Sequence, residues 1–246
     1  MAGDIKAISM DLWFTLVWED DEGASSYTDR RVEALYRWLS RYRSLDIEDV
    51  YRYYRMTDHV RMVTPIPRLM EYICLMAGVE VDGDLIEGMA RDYIRSTWDF
   101  KPKVSHEAPE TLEALRDRGF RIGVLTNTSF NEEGVWRLLD NVGLSKYVDV
   151  VVSSCDIGVG KPLREAFENL CVKMGVESSS LLHVGDTYLD DVVGARLFGA
   201  EGVLYTGLWK YYDKYTPYRN RARHKVRIYA KIVDDLRKLY IDLLDI

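Results

Sequence analysis

Four short segments hold side chains that could act together on one substrate: DLWFT at 11–15, LTNTS at 125–129, GKP at 160–162 and GDTYLDD at 185–191. They supply an acid, Asp11, the hydroxyls of Thr15 and Thr126, the amide of Asn127, the ammonium of Lys161, and further acids at Asp186, Asp190 and Asp191. A carboxylate can attack a substrate and hold it as a covalent intermediate. A fixed lysine can neutralise the charge that develops on a group in transfer. Hard carboxylate oxygens suit Mg²⁺, and crowded acids raise one another's pKa and repel an anionic substrate unless a cation sits among them. Each segment alone has a plainer reading: Asp11 and Thr126 could be helix caps, and Lys161 a solvated cation.

The chemistry therefore depends on elements that bring the segments together. Ile5 to Met10 is a short apolar run ending at Asp11, the pattern of a buried parallel strand that presents a polar residue at its C-terminal end. From about Tyr27 to Phe100 apolar residues recur at helical spacing, as in Leu69, Tyr72, Ile73 and Met76. After Pro102, helix and apolar strand alternate, through RIGVLTN and YVDVVVSS, which implies βαβ units and a parallel sheet. The expected fold is α/β, a doubly wound parallel sheet of residues 1–16 and 101–246, with an all-α domain of residues 17–100 inserted after the first strand. All four segments should then lie where strands end, facing one crevice. A final amphipathic helix is expected over Lys231 to Leu244, with Ile232, Leu236, Leu239 and Leu243 on its apolar face.

In this order and with a helical insertion after the first, the segments resemble the four motifs of the haloacid dehalogenase-like hydrolase superfamily, over nearly the whole chain. The resemblance implies a Rossmann-like core with an inserted cap and Asp11 as nucleophile. It implies that Thr126 binds a phosphoryl oxygen, that Lys161 steadies the transferred group, and that Thr15 and Asn127 contact substrate. It assigns a Mg²⁺ site to Asp11, the backbone carbonyl of Trp13, Asp186 and Asp191, with Asp186 binding the ion directly, Asp191 supporting the site from beside or behind it, and Asp190 an alternative to Asp191. The activity implied is that of a Mg²⁺-dependent phosphatase acting on a small phosphorylated metabolite through an aspartyl-phosphate.

Two positions depart from the pattern. Family phosphatases carry a second acid two residues after the nucleophile, where this chain has Trp13; dehalogenases have an aromatic residue there, because a halide leaves without a proton. Phe14 replaces a customary glycine. A metal-independent 2-haloacid dehalogenase is thus the rival activity, although dehalogenases have a small hydroxylated residue in place of Asp186. Acids just past the first motif, Glu19, Asp20 and Asp21, could stand in for the missing one.

A net charge of -7 argues against a chain whose whole surface grips nucleic acid or membrane. The tract 209–227 interleaves seven Lys or Arg with Trp209, Tyr211, Tyr212, Tyr215 and Tyr218, a pattern that could bind single strands and would keep a non-catalytic binding role open. A surface aromatic cluster is the plainer reading. No run approaches the roughly 20 apolar residues of a membrane span, so a cytoplasmic protein with a small anionic substrate is expected, and a homodimer is compatible with it. Cys74, Cys155 and Cys171 are too scattered for a disulfide framework and read as buried thiols.

Overall fold

The computed structural model describes residues 5–211 and 230–243. A six-stranded sheet forms its centre: β1 (Ala7–Met10), β4 (Arg121–Thr126), β5 (Val150–Ser153), β6 (Leu181–Gly185), β7 (Glu201–Tyr205) and β8 (Lys231–Val233). Their order is β5-β4-β1-β6-β7-β8, and every pairing is parallel. From β1 the chain moves outward to β4 and β5, then returns to the far side of β1 for β6. Such a reversal leaves a crevice at the carboxyl ends of the central strands.

All four residues of β1 are buried, because helices cover both faces of the sheet. Ile8 and Met10 join one core with Leu112 of α5 (Ala108–Asp117) and Leu138 of α6 (Glu132–Asn141). Ala7 turns to the other face, where Phe167 and Leu170 of α8 (Arg164–Met174) pack with Ala195 of α9 (Gly194–Phe198). Local signals set the ends of these helices. The Asn131 side chain caps α6 by accepting from the Gly134 amide at 3.0 Å, and α8 stops at Gly175, whose φ of 61° favours glycine.

The insertion comprises α1 (Asp21–Leu39), α2 (Ile47–Met56), α3 (Ile66–Ala77) and α4 (Gly83–Arg95). It buries its own cluster, from Val32 and Leu35 to Met89 and Tyr93. The antiparallel pair β2 (Val17–Trp18) and β3 (Lys103–Val104) closes its base. The helices therefore follow a two-stranded ribbon, and do not start directly from β1. The Asn141 side chain fastens the exit by donating to the Trp98 and Phe100 carbonyls, at 2.7 and 2.9 Å.

The expected C-terminal helix is absent among the described residues. Lys231–Val233 is strand β8, and only a short helical turn, Leu239–Leu243, follows. The β-branched pair Ile232 and Val233 gains a ladder against β7, where Val233 pairs with Tyr205. Leu236 and Leu239 are buried as expected, whereas Ile232 is exposed. No described helix is long and apolar enough to cross a membrane. Cys74, Cys155 and Cys171 are buried free thiols.

Candidate active site

Register brings three of the four segments to one edge. Met10 pairs with Val124 on one side and with Val184 on the other. Asp11, Thr126 and Asp186 follow these positions within two residues, and the Asp11 amide donates to the Val184 carbonyl at 2.8 Å. The fourth segment, GKP, does not end a strand. It follows the short helix α7 (Ser154–Ile157) in a loop, and Asn127 brings that loop to the site. The Lys161 amide donates to Asn127 Oδ1, and Asn127 Nδ2 donates to the Lys161 carbonyl, both at 2.8 Å. Gly160 allows this approach, since a Cβ there would lie 2.6 Å from Asn127 Oδ1. Asn127, expected to contact substrate, holds the lysine loop with its amide.

Lys161 is the hub. Its Nζ donates to Asp11 Oδ1 at 2.7 Å and to Asp191 Oδ1 at 2.6 Å. Both oxygens of Asp191 are engaged: Oδ1 also accepts from His183 Nε2 at 3.1 Å, and Oδ2 accepts from the Thr187 amide and hydroxyl, each at 2.8 Å. This acid anchors the lysine from behind. Asp190 is half-buried on the same turn, while Asp191 is the acid inside the cluster.

His183 and Ser9 extend the chain of contacts and were not legible as site residues. Burial lowers the His183 pKa and keeps the ring neutral. Its Nε2–H then donates to Asp191, and Nδ1 accepts from the Ser9 hydroxyl at 2.7 Å. The signal available was a lone histidine in the otherwise apolar strand LLHVG.

Burial pushes the Asp11 carboxyl above the usual range; the Lys161 ammonium opposes that shift and the neighbouring Asp191 adds to it. Asp191 is held well below the usual range despite its own burial, by Lys161 and His183. Lys161 is held above its ordinary value by the two acids. The cluster thus contains a lysine clamped between two buried acids. The hydroxyls of Thr15 and Thr126 are buried and have no partner among the described residues, which leaves both available to a ligand.

Residues 12–17 form a tight turn that presents Asp11. The Leu16 and Val17 amides both donate to the Leu12 carbonyl at 3.0 Å. Phe14 adopts φ 59°, a left-handed conformation that costs a non-glycine residue about 1 kcal/mol or more. Its buried ring offsets that cost by joining the core beneath the site. Trp13 is half-buried, donates from Nε1 to Thr128 Oγ1 at 3.2 Å, and packs near Phe130 with ring centres 5.9 Å apart. It has no acidic proton to give.

Asp186 is buried at the end of β6, and its carbonyl accepts from Trp209 Nε1 at 3.0 Å. Tyr211 stacks on Trp18 at 3.9 Å. The start of the basic aromatic tract thus packs against the site and the ribbon; 212–227 lie outside the described residues. Among the described residues no group of three His, Cys, Asp or Glu is arranged to hold a metal.

Among solved structures, a 2-haloacid dehalogenase from Pseudomonas syringae pv. Tomato aligns with a TM-score of 0.66 at 20% identity, covering 98% of this chain and 99% of that one. A phosphatase of the same superfamily from Thermococcus onnurineus aligns with a TM-score of 0.61 at 20% identity, covering 97% and 98%. These likenesses establish the fold. In sequence, the chain is 33% identical over 99 residues to a ribulose-1,5-bisphosphate 5-phosphatase of Halopiger xanaduensis, over 40% of this chain and 41% of that protein. The match thus spans about two fifths of that relative's length. The model for haloacid dehalogenase-like hydrolases matches residues 5–199, which hold all four segments and the Asp11–Lys161–Asp191 cluster, and the chain is a hydrolase belonging to that family.

Proposed function

We propose that this hydrolase is a Mg²⁺-dependent phosphatase acting on a small phosphorylated molecule, with residues 17–100 as a cap over the crevice. The observation that carries this reading is the second buried carboxylate, Asp186, at the end of the strand beside Asp11. Lys161 is held by Asp11 and Asp191 at the same edge. Asp11, Asp186 and the Trp13 carbonyl offer hard oxygen donors, and Mg²⁺ ordinarily completes its shell with waters and phosphate oxygens. When bound, the ion would neutralise these acids and the incoming phosphate.

The chain's own residues then have separable tasks. An Asp11 carboxylate oxygen attacks phosphorus, forming the aspartyl-phosphate as the bond to the leaving oxygen breaks. Lys161 and the Thr126 and Thr15 hydroxyls hold the phosphoryl oxygens, while Asp191 and Asn127 fix Lys161. Water then cleaves the intermediate and regenerates Asp11. Trp13 cannot protonate the leaving group, so substrates whose leaving oxygen is stable as an anion are favoured.

Trp13 also supports the second reading, a metal-independent 2-haloacid dehalogenase, because a halide needs no proton. Release of an aryl alcohol from an aryl phosphate, with Mg²⁺ and with chelator, separates the two. Metal-dependent release that is lost in Asp11→Asn is the expected result. Absence of release, with chloride liberated from a 2-haloacid in chelator, overturns the phosphatase reading.

A further inference from the structure

Ser9 and His183 are register partners on β1 and β6, and both are wholly buried. They share the face of the sheet that carries Ala7, where Phe167, Leu170 and Ala195 pack. The Phe167 ring meets the imidazole edge to face, with ring centres 5.3 Å apart and planes at 90°. Two apolar side chains would fill this place at no polar cost, whereas a polar pair there must spend its hydrogen bonds. The pair spends them in one direction. Both oxygens of Asp191 act as acceptors, so His183 Nε2 donates to Oδ1 at 3.1 Å, which leaves Nδ1 to accept from the Ser9 hydroxyl at 2.7 Å. The bond made by one ring nitrogen sets which of the two carries the proton, so Ser9 fixes the tautomer that serves Asp191.

The contact falls on the oxygen that meets the lysine. Thr187 holds only Asp191 Oδ2, and does so from the start of the turn to which Asp191 itself belongs. Oδ1 receives Lys161 Nζ at 2.6 Å, and among the described residues His183 is the one group that ties this oxygen to the sheet. β6 lies between β1 and β7, so that tie is to a central strand, a firmer support than a turn. An ammonium has three N–H donors; with two given to Asp11 and Asp191, the direction of the third is set once both acids are fixed. A catalytic group misplaced by about 1 Å can cost on the order of 10²-fold in rate. We propose that His183, steered by Ser9, is a positioning residue of the reaction: it fixes Asp191 Oδ1, and thereby the Lys161 ammonium against Asp11 and the group in transfer. That Lys161 acts on a phosphoryl group rests on the phosphatase reading; that His183 holds Lys161 does not.

The test compares His183→Gln with His183→Asn in two measurements on the same preparations. Gln carries an amide N–H out to about the place of Nε2, whereas Asn reaches only that of Nδ1. The first measurement is aryl phosphate turnover in Mg²⁺. His183→Asn should lower kcat roughly 10- to 100-fold with KM within about twofold of wild type, and His183→Gln should recover most of that loss. The second is acetylation of lysines in the resting protein in chelator, mapped by peptide mass. Lys161 should be modified severalfold faster in His183→Asn than in wild type or His183→Gln, with the other lysines alike in all three. Ser9→Ala, which leaves the imidazole in place, should move both readings the same way to a smaller degree, and it decides the matter if the His183 variants do not fold. A merely structural histidine would lower the melting temperature of both His183 variants and separate them in neither measurement. That result, or wild-type kcat and Lys161 modification in His183→Asn or in Ser9→Ala, overturns the proposal. Absence of aryl phosphate turnover in wild type would instead overturn the phosphatase reading, and the acetylation rates alone would then judge the hold of His183 on Lys161.

Discussion

Glu19 illustrates how one buried carboxyl can tie stability to pH. Its pKa rises from the usual 4.5 to about 7 because burial disfavours the charged form. Below pH 4.5 the group is protonated in both folded and unfolded chains and costs nothing. Above that, the unfolded chain sheds its proton first, so the folded state loses ground until about pH 7. Glu19→Gln should therefore raise stability at pH 8 by about 1–3 kcal/mol and leave it unchanged below pH 4.5, as read from urea unfolding at the two pH values. Asp191→Asn acts in the opposite direction, since it strips a buried carboxylate from Lys161, His183 and Thr187. A loss of about 3–5 kcal/mol is expected, a melting temperature lower by roughly 6–20 °C, together with loss of turnover. Asp11, Lys161 and Asp191 were legible as site candidates through the resemblance of their motifs, because each motif is local. Ser9 and His183 were not, since their pairing depends on β1 lying beside β6, and nor was the contact of Asn127 with the lysine loop.

Elements place these residues through close approaches that tolerate no extra atom. A Cβ on Gly185, the last residue of β6, would fall 2.1 Å from Asp191 Cγ. Gly185→Ala should displace the Asp191 carboxylate, lowering the melting temperature and abolishing activity, whereas unchanged values for both would show that the turn after β6 absorbs the methyl group. The strands and helices around this point were readable because apolar runs and 3.6-residue periods persist through them. The C-terminal segment misled for a physical reason. Ile232, Leu236 and Leu239 fit helical spacing, yet the open edge of β7 offers Lys231–Val233 a ladder that an isolated helix cannot match. The ribbon of Val17–Trp18 and Lys103–Val104 is only two residues per strand, too short to register as a pattern, and it joins positions far apart in sequence.

At the scale of the whole molecule, Asp11, Lys161 and a second acid meet at the edge of the sheet, and the place of the family's customary proton donor is held by the indole of Trp13. The combination predicts a leaving-group dependence. Turnover should fall steeply from aryl to alkyl phosphates, and Trp13→Asp should raise alkyl phosphate turnover by on the order of 10²-fold while changing aryl phosphate turnover little. Equal gains on both substrates would mean that Trp13 limits access to the site and not proton supply. The central claim, that Asp11 carries the phosphoryl group, is tested most directly by quenching an aryl phosphate reaction with acid and mapping modified peptides by mass. One phosphoryl group on Asp11, formed within the first turnover and missing without Mg²⁺, is the predicted result. Phosphate released with no modification of Asp11, or at an undiminished rate by Asp11→Asn, would contradict it.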